Sequence, residues 1–178
     1  MALTKIADGG MPSGSVIQVV QSSIKTRLAL ATSGNYTKIT GFEASITPLT
    51  TSSKVLVSAS INLSANSSNY VFGARLYVND AHISDASADD DTYGSNDEGA
   101  WFAVGAQTWN NYFRYHCTPQ YLHSPSSTSQ QTYSVYVTDN RDNGTVYINR
   151  MHYEANDDYM NTSKSYLTLM EIAGWQIL

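Results

Sequence analysis

The chain reads as an all-β protein, an antiparallel two-sheet sandwich, and three observations predict it. Apolar and polar residues alternate with a two-residue period over segment after segment, the period of a strand with one buried face. The composition leans the same way. Charged residues are only 14% of the 178, and Tyr alone occurs 13 times, so hydroxyl-bearing and aromatic residues that fit pleated surfaces stand where charge would be. Finally, no segment carries a convincing amphipathic helical period. Roughly eight to ten short strands separated by turns fit two sheets face to face, as a sandwich or jelly roll. Periodicity alone does not separate a jelly roll from an immunoglobulin-like topology.

In chain order, residues 1–14 (MALTKIADGGMPSG) lack a sustained period and hold Gly9-Gly10, Pro12 and Gly14, an extended arm before a domain at 15–178. Met1, Leu3, Ile6 and Met11 are its apolar anchors, and its span is at most ~50 Å at about 3.3–3.6 Å per residue. SVIQVVQ opens the strands, with Val16 on a different face from Ile17 and Val19. In GFEASITP, Phe42, Ala44 and Ile46 alternate with Glu43 and Ser45, ending at Pro48. KVLVSASINLS is the clearest strand: Val55, Val57, Ala59, Ile61 and Leu63 share one face. YVFGARLYVND ends on the turn residues Asn79-Asp80.

AWFAVGAQTW and NYFRYHCT are divided by Asn110-Asn111, a hairpin signal, and YLHSPSSTSQQ reads as a polar surface loop. TYSVYVTDNRDNGTVYIN places Tyr133, Val135 and Val137 on one face, then Val146 and Ile148 opposite Tyr147 and Asn149. Asn143-Gly144 between them predicts a second hairpin. A calcium loop counted from Asp139 fails there, because Arg141 and Arg150 occupy ligand positions. In the closing YLTLMEIAGWQIL, both faces are largely apolar, which predicts a strand between two layers or against a neighbouring subunit.

Net charge is −5, concentrated in DASADDDTYGSNDEG, residues 85–99. Asp89, Asp90, Asp91, Asp97 and Glu98 are the weak candidates for a Ca²⁺ site, against the plainer expectation of a solvated loop and no cofactor. No basic stripe interleaves with aromatics, which argues against nucleic acid. Cys117 is the only cysteine, so no internal disulfide is expected. The start lacks a basic n-region and an apolar h-region, and no run of 18 apolar residues exists; no secretion and no membrane insertion are expected. His82, His116, His123 and His152 show no zinc-protease spacing, and neither a nucleophile elbow nor a P-loop occurs, so no enzyme and no catalytic residues are expected.

The ordered set MPSGSVIQVVQ, ITPLTTSSKVLVSASINL, ARLYVND, TYSVYVTDNRDNGTVYIN and SYLTLMEIAG, spanning most of residues 12–174, resembles small virion proteins of tailed bacteriophages, of the marine and cyanophage type. That resemblance implies a trimeric knob with a C1q/TNF-like jelly roll on the particle exterior, made in the cytoplasm of a bacterial host. It also implies self-association and contact with other virion proteins such as the major capsid protein. Tyr112, Phe113, Tyr115, Tyr147 and Tyr153 are candidates for the trimer interface. With an arm but no shaft, capsid decoration is the first expectation. The rival is a receptor- or glycan-binding tail-fibre tip, with Trp101, Trp109 and Tyr121 as the candidate ligand surface.

Overall fold

The run with the cleanest alternation, Lys54–Ala65, becomes the longest strand and organises its whole sheet. In this computed structural model the described residues are 12–32, 35–65, 70–86, 100–106, 114–139, 144–151 and 163–174. They form β1 (Val16–Ile24), β2 (Leu28–Ala31), β3 (Thr37–Ile46), β4 (Lys54–Ala65), β5 (Tyr70–Val78) and β6 (Ala81–His82). A 3-10 turn at Ser84–Ala86 follows. Then come β7 (Phe102–Ala106), β8 (Tyr115–Cys117), β9 (Gln120–His123), β10 (Gln131–Asp139), β11 (Thr145–Ile148) and β12 (Ser165–Ile172).

Several of these are halves of one broken lane. Along one side of β4, β12 pairs with residues 54–60 and β11 with 63–65; along the other, β9 pairs with 55–58 and β8 with 61–63. β1 and β2 in turn pair with β12 and β11. In the second sheet β3, β10 and β5 lie side by side, and β6 and β7 share the outer side of β5. Counted as lanes in chain order, the first sheet runs 1-8-3-6 and the second 2-7-4-5. That interleaving is a jelly roll: successive lanes change sheet at every step except between β5 and β6. In an immunoglobulin sandwich, consecutive strands pair within a sheet far more often.

The core lies between the layers and comes from the predicted faces. Val55, Val57, Ala59, Ile61 and Leu63 are buried on β4; Phe42, Ala44 and Ile46 on β3; Tyr133, Val135 and Val137 on β10; Val146 and Ile148 on β11. Leu167 and Leu169 complete it from β12, and each such side chain contributes about 1.5–3 kcal/mol by leaving water.

Five local expectations are corrected. Asn143-Gly144 does not join a hairpin, since β10 belongs to the second sheet and β11 to the first. Gly144 is needed for another reason: a Cβ there would lie 0.8 Å from Oδ2 of Asp139. The strands flanking Asn110-Asn111 likewise fall in different sheets, β7 beside β5 and β8 beside β4. Two-residue periodicity names the buried face of a strand but not its partner, so hairpin and crossover look alike in sequence. Gln120–His123 is a strand rather than loop, held by β4. A register shift between Val16 and Gln18 marks a bulge that turns Val19 outward and Val20 towards the core. Asn149, expected opposite Val146 and Ile148, is instead wholly buried with φ +59°.

The final strand's two apolar faces divide cleanly. Leu167 and Leu169 are buried, while Tyr166 lies exposed on the other side with Met170 and Ile172 half-exposed. Glu171 is the polar exception on the inner face; Gln18 Nε2 donates to Oε2 and the Leu49 N–H to Oε1 at 2.7 Å, so both oxygens are satisfied.

Candidate functional site: a sheet face and an edge cavity

Register places outward side chains in rows across the first sheet. Val19, Met170, Leu56 and Leu122 form one row, one residue from each lane. At ~4.8 Å between strands, the row spans about 14 Å. Val16 and Ile172 extend it towards the end of the sheet, where Lys54 stands. The next row is Gln21, Thr168, Ser58 and Gln120, closed on itself by Gln21 Nε2 donating to Thr168 Oγ1 at 2.9 Å and Gln120 Nε2 to Ser58 Oγ at 3.4 Å. Beyond it Ser23, Tyr166 and Ser60 follow, with Ser60 Oγ 2.8 Å from His116 Nε2.

Among the described residues the exposed large hydrophobics are Val16 (46%), Val19 (53%), Leu122 (45%) and Tyr166 (37%), and all four belong to this face. The bulge in β1 is what turns Val19 outward.

The outer face of the second sheet is of the opposite kind. Lys38 Nζ meets Glu43 at 2.8 Å and Asp80 at 3.1 Å. The hydrogen bond to Glu43, then that to Asp80, pushes the Lys38 ammonium above its ordinary value, and Lys38 in turn holds the Asp80 carboxyl down. Tyr136 donates to the same Asp80 oxygen at 3.2 Å and stacks on Tyr77, ring centroids 3.9 Å apart. The Arg75 guanidinium lies 3.9 Å over the Tyr36 ring. Among the described residues Lys38, Glu43 and Asp80 thus pair their charges within this face.

A cavity of about 350 Å³ opens where the edge of the first sheet, β9, faces β6 and the 3-10 turn of the second. Tyr121 and His123 project into it from β9, His82 and Asp85 from the opposite wall, with Val78 and Ile83 among its apolar lining. Nδ1 of His123 lies 2.8 Å from the hydroxyl of Tyr133, which is buried at the core of the second sheet. Burial lowers the His123 pKa below its ordinary 6.5, with Asp85 opposing, and the hydrogen bond to the Tyr133 hydroxyl holds the ring through Nδ1. Burial raises the Tyr133 and Tyr121 phenols, and Asp85 raises Tyr121 further.

The residues singled out from sequence are dispersed. Met1, Leu3, Ile6, Met11, Asp89, Asp90, Asp91, Asp97, Glu98, Trp109, Tyr112, Phe113 and Tyr153 lie outside the described residues. Where the described chain begins, the Gly14 N–H donates to Ala173 O at 2.9 Å. Tyr115 stands on the inner side of β8, edge-on to Phe72 with centroids 5.5 Å apart. Tyr147 is half-buried on β11 beneath the Arg150 guanidinium. Trp101 is half-buried against the core and donates from Nε1 to Gln120 O at 3.3 Å; of the two described ligand candidates, Tyr121 lines the cavity. Cys117 is half-buried on β8, and burial raises its thiol. No group of three or more His, Cys, Asp or Glu side chains gathers as metal ligands among the described residues. No helix among them is long and apolar enough to cross a membrane. Val19, Leu122, His82, Asp85 and His123 were missed as site residues because each sits in an ordinary strand or turn pattern.

No protein-family model matches the chain, and no curated protein does. Among solved structures it superposes on a structure of infectious bursal disease virus, Gx strain, with TM-score 0.41 and 10% identity over 97% of this chain and 42% of that one. A mutant VP2 protein of infectious bursal disease virus in derived T=1 particles gives TM-score 0.40 and 11% identity over 88% and 36%. The chain therefore spans about two fifths of the length of these structures. At such scores the likeness carries no argument; the jelly roll is established by this chain's own strand order.

Proposed function

We propose that the chain is a structural protein of a phage virion, a homotrimeric knob on the particle exterior that decorates the capsid and stabilises the shell. The observation that carries the reading is the outer face of the first sheet, where the apolar row Val19–Met170–Leu56–Leu122 lies and where the exposed large hydrophobics of the described residues, Val16, Val19, Leu122 and Tyr166, all fall. An apolar strip of this kind suits the contact each copy makes with the next around a threefold axis, where each copy buries on the order of 600–1,000 Å². The jelly roll and the sequence resemblance to phage virion proteins support the same reading. Its role is mechanical: each trimer holds several shell subunits and raises the cost of separating them.

Sedimentation at tens of micromolar tests the assembly, with a species of three 19.5-kDa chains as the expected result. Val19→Asp and Leu122→Asp each place a charge in the row, and should yield single chains that keep the β circular-dichroism spectrum. A parent that sediments as one chain removes the proposal. Binding of the parent to undecorated capsids, and not to host cells, separates decoration from the second reading. That second reading is a glycan-binding tail-fibre tip, favoured by the cavity beside β9.

A further inference from the structure

We infer that the cavity between β9 and the β6–3-10 segment is a binding site for a neutral saccharide, one ring deep, with Tyr121, His123 and Asp85 as its principal contacts. Its volume, about 350 Å³, falls at the lower end of the ~300–1,000 Å³ range of small-molecule sites. The decisive feature is a departure from pattern in the first sheet. Inward positions on β4 are aliphatic throughout, Val55 and Val57 among them, yet their inward partners on β9 are His123 and Tyr121. A sandwich edge needing only core would carry aliphatic residues there. Half-polar rings in such a place combine an apolar face with a hydrogen-bonding tip.

The chemistry on the walls suits a sugar better than an ion. Tyr121 and His123 stand two residues apart on one strand with centroids 6.3 Å apart and planes 30° from parallel, together a shallow aromatic wall for the C–H face of a pyranose. The Tyr133 hydroxyl occupies Nδ1 of His123, which fixes the ring and leaves Nε2 as its remaining polar atom for a sugar hydroxyl. Asp85, on the 3-10 turn, is exposed and accepts from two vicinal hydroxyls at once, as a carboxylate does in charge-assisted pairs. Ser84 and Ser124 add hydroxyls at the rim. Asp85, His82 and His123 all line the cavity, but among the described residues no three such groups gather closely enough to hold a metal ion. The inference deepens the glycan-binding reading and does not rest on the assembly one, although Leu122 of the apolar row also borders the cavity.

The test is protein-observed NMR on the full chain. The imidazole signal of His123 and the ring signals of Tyr121 are followed as glucose, galactose, mannose and N-acetylglucosamine are each titrated to tens of millimolar. At least one sugar is expected to shift both residues saturably. Asp85→Ala, at an exposed position, should weaken that binding about tenfold with the spectrum elsewhere unchanged. Tyr121→Ala should abolish it. Absence of a saturable shift with all four sugars overturns the inference, as does affinity unchanged in Asp85→Ala. Tetramethylammonium shifting the same signals where the sugars do not would also overturn it. Loss of sugar binding with trimers intact, or the converse, tells the two proposals apart.

Discussion

Asn149 bears more of the fold than its place in the sequence suggests. It sits where two lanes of the first sheet are interrupted together, between β11 and β12 and between β1 and β2. Its Nδ2 donates to Ile24 O at 2.9 Å and Thr26 O at 3.2 Å, and its own N–H to Asn62 O at 2.9 Å. Ser165 Oγ donates to its Oδ1 at 2.7 Å while accepting from the Asn62 N–H at 3.1 Å. The amide thus supplies the ladder bonds that the broken lanes lack, and Asn is among the few residues that tolerate φ +59°. Asn149→Ala should destabilise the fold by roughly 2–4 kcal/mol, because buried carbonyl and hydroxyl groups lose partners. Asn149→Asp should be at least as damaging, since a carboxylate faces two carbonyl oxygens and cannot donate. Urea titration measures both, and a change under about 0.5 kcal/mol would remove the role.

His123 adds a pH dependence at the same scale. Its folded pKa is depressed by burial, which outweighs the raising effect of the nearby Asp85 carboxylate, so the unfolded chain binds more protons below the ordinary value of 6.5. Stability should therefore hold above about pH 6.5 and fall as pH drops through the window down to the depressed value. Urea midpoints from pH 8 to pH 5 should decline less steeply in His123→Gln than in the parent.

At the scale of elements, the tight hairpin among the described strands is β5–β6. Asn79 and Asp80 both take positive φ, +50° and +61°, as a two-residue type I′ turn demands. Asn79 also ties the turn to β10, accepting from the Thr132 N–H at 2.9 Å and donating to Gln131 Oε1 at 3.1 Å. Asn79→Val combines a β-branched residue at positive φ with loss of both bonds. It should cost about 2–4 kcal/mol, a fall in Tm of roughly 4–15 °C for a chain of this size. Asn79→Gly keeps the backbone and should cost less; equal losses in the two variants would mean the backbone conformation contributes nothing. Here sequence was a sound guide, because the turn chemistry is local. At Asn143-Gly144 the same kind of signal misled: Gly144 is buried, is not among the described glycines with positive φ, and is small so that Asp139 can pack over it and accept from Thr32 Oγ1 at 2.6 Å.

For the whole molecule, what matters is the contrast between the two outer faces. One pairs charges internally through Lys38, Glu43 and Asp80; the other presents apolar side chains beside hydroxyls that accept from glutamine amides. Assembly through the second kind of surface depends little on ionic strength, since screening acts on charge. The proposed trimer should therefore persist from low salt to 1 M, and dissolution of the trimer by salt would move the contact to a charged surface elsewhere.

The sequence alone determined which side chains face inward on most strands, because burial imposes a two-residue period that any single strand displays. It also determined the all-β class and the Asn79-Asp80 turn, both products of local conformational preference. Only tertiary structure decided that β10 and β11 part into different sheets, that Asn149 turns inward, that a bulge exposes Val19, and that Tyr121, His123 and Asp85 meet across an edge. Each of those depends on pairing between segments far apart in the chain, and pairing of that kind leaves no period in either segment.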